Sequence, residues 1–195
     1  GQRPAKVKIE TTHRVVITPR SVILDGKPVA ASSTGQKLLT ELYKTYVADY
    51  PKFYKMDTLS RLGFMASELL LQAEGNPRGE NGDRRGTLLF NRSTSVVTDM
   101  KYLETIAGED EFFPSPSLFV YTLPNIITGE IAIRNGWHGE TSFCILPECD
   151  ENVMEEIVEA TASFSQIDTM LTGWIDCPGT EDFIADLTLK NIIRL

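Results

Sequence analysis

The chain has 195 residues, 42% of them apolar and 24% charged, an ordinary make-up for a soluble globular protein long enough to bury a sizeable core. Nineteen basic against 27 acidic side chains give a net charge of −8, which argues against general nucleic-acid binding, since that calls for a basic surface. Three cysteines (Cys144, Cys149, Cys177) without a CxxC pair, and only His13 and His138 beside them, argue against a disulfide framework or a zinc site; no metal or cofactor is expected. No run approaches the ~20 apolar residues of a membrane span, and the opening GQRPAKVKIE lacks the apolar stretch of a signal peptide. A cytoplasmic location is expected.

In chain order, Val7–Ile9 and Arg14–Thr18 read as strands. Ser21–Leu24 and Lys27–Val29 flank Asp25-Gly26, a dipeptide suited to a tight hairpin turn. Leu38, Leu39, Leu42, Tyr43, Tyr46 and Val47 mark one face of a helix over Gln36–Tyr50, stopped by Pro51. A second helix is expected from Asp57 to Ala73, with Leu59, Leu62, Met65, Ala66, Leu69 and Leu70 inward. The Gly75–Gly86 stretch has loop composition, Thr87–Phe90 reads as a strand, and a helix is expected through Met100–Ile106. Pro124 and Gly129 divide the Pro114–Gly136 segment into two short helices with a bend.

The stretch from Gly139 to Gly173 reads as strand, turn, helix, strand. Thr141–Leu146 is a short apolar strand ended by Pro147. Glu148, Asp150 and Glu151 place negative charge where a helix N-terminus welcomes it. Val153, Met154, Ile157, Val158, Thr161 and Phe164 recur at helical spacing, opposite a charged face of Glu151, Asn152, Glu155, Glu156 and Glu159. Burying those carboxylates would be very costly, so one side of this helix is expected in water. Ile167–Leu171 is a strand closed by Gly173, and Asp182–Leu195 a last strand, antiparallel because the link after Cys177 is too short for a crossover. The alternation implies an α/β fold, one domain over residues 1–195. Its sheet is expected to be mixed but largely parallel, with helices on both faces and an N-terminal β-hairpin.

Three stretches carry a resemblance to the β-ketoacyl synthases. MDTLSRLGFMASELLL (Met56–Leu71) resembles the family helix that begins with Met-Asp and a Ser-rich turn. PSLFVYTLPNIITGEIAIRNGWHGE (Pro116–Glu140) is similar to its segment of Pro-Asn, small residues and Gly-Pro. IDTMLTGWID (Ile167–Asp176) resembles its Ala-Asp-x-x-x-x-Gly-Gly strand. The resemblance implies a thiolase-like fold at the length of one half, βαβαβαββ with a five-stranded sheet, the second half being absent.

The resemblance also locates the family's nucleophile. Nine residues past Gly139 and twenty before Asp168 both lead to position 148, where the chain has Glu148 rather than cysteine. Cys149 is one residue away, and a one-residue shift would turn the helical face by roughly 100°. The acidic neighbours of Cys149 oppose a thiolate. The family's catalytic histidines belong to the absent half, and His138 maps onto neither of them. The chain therefore reads as a non-catalytic subunit of fatty-acid, polyketide or polyene biosynthesis that binds a synthase or an acyl carrier protein.

The family's mode of pairing implies a homodimer, or a heterodimer with a full-length ketosynthase. It would form through Thr141–Leu146, with Phe143, Cys144 and Ile145 at its centre. Lys52, Lys55, Arg78, Arg84 and Arg85 are the candidate cations for docking a carrier. The alternatives are an acyltransferase or decarboxylase using Cys149 or Glu148 and completed by a partner chain, and a dimeric scaffold without an acyl ligand.

Overall fold

The structure, a computed structural model, describes residues 3–75, 78–92, 121–122, 126–139 and 141–195. The helix expected over Met100–Ile106 lies outside them, as does most of the segment 114–125.

The chain opens on β1, Val7–Thr18. It is one strand rather than two: its polar middle carries a register shift between Thr11 and His13, and this bulge absorbs the extra residue without ending the ladder. β2 (Ser21–Leu24) and β3 (Lys27–Pro28) complete the hairpin. Asp25 and Gly26 take φ of 52° and 79°, the paired positive angles that a two-residue type I′ turn needs.

Helix α1 spans Gln36–Tyr46 and α2 spans Thr58–Glu74. The Asp57 carboxylate accepts the Ser60 N–H at 2.8 Å at the start of α2, and Gly75 ends it in the left-handed conformation at φ 74°. β4 is Arg85–Asn91 and β5 is Tyr121–Thr122. Helix α3, Ile126–Asn135, runs through Gly129 without a break. The expected interruption there is corrected: glycine costs a helix interior only about 1 kcal/mol, which the buried Ile127 and Ile131 on either side offset.

β6 (Thr141–Ile145), α4 (Glu151–Phe164), β7 (Thr169–Gly179) and β8 (Asp182–Arg194) follow. Gly173 does not close its strand. At φ 147° it lets the β8 backbone at Asp186 and Leu187 approach where a Cβ would collide, and β7 continues past it.

The strands form one mixed sheet in the order β3-β2-β1-β8-β7-β4-β6-β5. β7, β4 and β6 are parallel to one another, and the remaining pairings are antiparallel. This corrects the expected five-stranded, largely parallel sheet. The first and last long strands pair with each other from Val7↔Arg194 to Ile17↔Ala185, a non-local ladder that the alternation of elements does not announce.

Helices cover both faces, unequally. On one face α1, α2 and α3 bury Leu38, Leu42, Leu62, Phe64 and Ile131 against Val15, Leu89, Leu171 and Leu187. On the other, among the described residues, α4 alone lays Ile157, Val158 and Ala162 over Leu88, Phe90, Met170 and Trp174.

Candidate functional site

The turn between β6 and α4 is held at both ends. Leu146 N–H donates to the Asn91 carbonyl at 2.9 Å, tying the end of β6 to β4. Asp150 caps α4, its carboxylate accepting Asn152 N–H at 3.1 Å and Val153 N–H at 3.3 Å. Glu148 and Cys149 lie between these anchors, both exposed. Burial pushes the Cys149 thiol up from its ordinary value, and Glu151, Asp186 and Asp150 push it further the same way. A helix N-terminus ordinarily favours a thiolate; here burial first and the carboxylates second act the other way.

Beside this turn a groove of about 690 Å³ runs between α4 and the open face of β1, β8 and β7. Its helical wall is acidic, with Glu151, Glu155 and Glu159. Its floor mixes apolar side chains (Ile9, Phe90, Trp174) with polar ones: Arg14 donates to Asp186 through Nε (2.8 Å) and Nη2 (2.6 Å), and Lys190 Nζ donates to Thr11 Oγ1 at 2.8 Å. Burial lowers the Lys190 pKa, with Glu155 opposing it. The expected charged face of α4 is solvated, since Glu151, Asn152, Glu155, Glu156 and Glu159 are all exposed.

Other expected site residues are placed differently. β6 is not a sheet edge: β4 pairs along one flank, and Tyr121 and Thr122 pair with Ile145 and Cys144 on the other. Phe143, Cys144 and Ile145 are buried. The edge on which the dimer expectation rested is therefore taken by β5 at Cys144 and Ile145.

The candidate cations do not form a free patch. Arg85 is 5% exposed, paired with Glu74 at 2.5 Å, with its guanidinium 4.9 Å from the centre of the Trp137 ring. Arg84 pairs with Asp168 at 2.7 Å, and Arg78 reaches Glu68 at 3.4 Å. Lys52 and Lys55 are exposed on the turn Pro51–Lys55. His138 is exposed and donates its N–H to the Gly82 carbonyl at 2.8 Å. Among the described residues no three His, Cys, Asp or Glu side chains gather as metal ligands would. Among them, too, no helix is long and apolar enough to cross a membrane.

Sequence reasoning missed a buried ion pair beneath the three-helix face. Arg134 of α3, 7% exposed, donates to Glu68 of α2, 3% exposed, at 2.5 Å. It also reaches Asp49 at 2.7 Å and lies 4.9 Å from the centre of the Tyr50 ring. The available clue was Glu68 itself, a lone carboxylate in the run from Leu62 to Leu70 that α2 buries throughout.

No family model matches the chain, and no curated protein matches it significantly.

Proposed function

We propose that the chain is a non-catalytic subunit of β-ketoacyl-synthase type, serving fatty-acid, polyketide or polyene assembly by binding a synthase chain. The observation that supports this most is the occupant of the turn. Where the resemblance puts the acyl-carrying cysteine stands the exposed carboxylate of Glu148, and the neighbouring Cys149 has its thiol pushed upward rather than activated.

The charge pattern favours a synthase over an acyl carrier protein as the partner. Carriers are acidic, this chain has a net charge of −8, and its groove has an acidic wall. Three of the five candidate docking cations are already paired with carboxylates. A partner presenting basic side chains suits the Glu151, Glu155 and Glu159 wall better.

Two measurements test the reading. Purification at low salt beside the chains encoded next to it is expected to recover a synthase in stoichiometric amount; repeated failure would count against the subunit role. Peptide-resolved alkylation with iodoacetamide at neutral pH is expected to label Cys149 no faster than in the unfolded chain. Rapid labelling would favour the enzymatic alternative, a transferase or decarboxylase completed by a partner.

A further inference from the structure

β1 is flanked on both sides for only part of its length. One side pairs with β8 from Val7 to Ile17, whereas the other pairs with β2 only from Val15 to Thr18. The hairpin turn adds one more step. Arg14 N–H donates to Asp25 Oδ1 at 2.8 Å, and the Arg14 carbonyl accepts Asp25 N–H at 2.8 Å. Among the described residues, no strand pairs with the outer side of Val7–Thr11.

The direction of the backbone groups along this edge is fixed by β8. Leu195 N–H donates to the Lys6 carbonyl, and Lys8 and Glu10 stand opposite Ile193 and Asn191 in the same phase. In an antiparallel ladder alternate residues bond to alternate sides. Lys6, Lys8 and Glu10 therefore spend their N–H and C=O groups on β8, and Val7, Ile9 and Thr11 point theirs outward.

The side chains select what pairs there. Lys8 and Glu10 are 62% and 48% exposed and 3.2 Å apart at Nζ and Oε1. A second copy lying antiparallel with its two-fold axis at Val7 would set Lys6 against Lys8. An axis at Lys8 or at Glu10 would set that residue against itself. An axis at Ile9 sets Lys8 against Glu10 twice and joins Ile9 to Ile9 and Val7 to Thr11 through their outward groups. Directly opposed unlike charges stabilise a ladder and like charges destabilise it. Val7 and Ile9, half-buried at the rim of the α4 core, would gain cover in that register.

We propose that two copies of this chain pair antiparallel through Val7–Thr11 about a two-fold axis at Ile9, continuing the sheet across the dimer. The interface meets the groove at Ile9 and Thr11, which line its rim, but it uses their outward backbone groups and does not rest on the reading of the turn at Glu148.

Sedimentation equilibrium on the full chain tests it, with circular dichroism melts to confirm folding. The wild type is expected to dimerise. Lys8→Glu should weaken the dimer by roughly tenfold, because two like-charged pairs replace two unlike ones. The double exchange Lys8→Glu/Glu10→Lys should restore it. Ile9→Pro deletes an outward N–H while sparing the bonds to β8, so it should yield a folded monomer. A monomeric wild type would overturn the proposal, as would a dimer indifferent to the charge exchange. If Ile9→Pro fails to fold, the charge-exchange pair decides alone.

Discussion

The two faces of the sheet are built by different rules. Under α1, α2 and α3 the side chains are mostly large, apolar and sealed, and the buried charges are paired: Arg134 is met by Glu68 and by the rings of Tyr50 and Phe64, and Arg85 by Glu74. Beside α4 the sheet sets charges among its apolar side chains, Arg14 meeting Asp186 across strands and Lys190 meeting Thr11, and the helix turns five polar or acidic residues to solvent. The first face holds the fold together; the second is left available for other contacts. Position 148 sits at the end of the second face, where a change of residue costs little stability.

That contrast can be broken most forcefully from the sealed side. Phe64→Ala is expected to cost about 3–5 kcal/mol in urea unfolding, because its neighbours are held by three helices and cannot close the cavity. Next, Arg134→Ala should cost about 3 kcal/mol by leaving the buried Glu68 carboxylate only its longer contact with Arg78, whereas Arg134→Met with Glu68→Leu should be close to neutral. A double variant as unstable as the single one would mean that the pair contributes more than mutual neutralisation.

A smaller effect is expected at Asp176, near the end of β7. Burial raises its pKa above the ordinary 3.8, although hydrogen bonds from Cys177 N–H and Asn91 Nδ2 oppose the shift. The folded state then binds the proton more tightly than the unfolded one, so this group's contribution declines as pH rises through the raised pKa. Asp176→Asn should stabilise the chain at neutral pH and lose that advantage below 3.8, as read from melting temperatures across pH. Smallest of all, Glu155→Gln on the wet wall should stay within about 0.5 kcal/mol of wild type. A large loss there would mean that the acidic wall is structural.

Much of the local structure was legible because local chemistry decides it. Asp25-Gly26 forced its turn, Asp57 and Asp150 mark helix starts, and the apolar stripe of α4 fixed which side meets water. What escaped depends on partners distant in sequence. Gly173 looks like a terminator until β8 is seen pressing against its bare α-carbon. Glu10–His13 look like a gap between strands until Lys190 and Leu189 are seen holding the ladder across the bulge. Thr141–Ile145 looks like an edge because nothing nearby in sequence reveals that Tyr121 and Thr122 pair with its end, at Ile145 and Cys144. At the candidate site, the charges flanking Cys149 in sequence could be read directly. The contribution of Asp186, which arrives from the last strand, could not.

The two ends of the sheet set a limit on assembly. β3 is two residues long and includes Pro28, which has no N–H to offer, and β5 at the far end is also two residues long. Neither offers an incoming strand much to hold. Val7–Thr11 is longer and, among the described residues, has no strand on its outer side, and pairing about a two-fold axis uses that stretch on both copies at once. Growth then stops at two: a closed pair rather than a fibre.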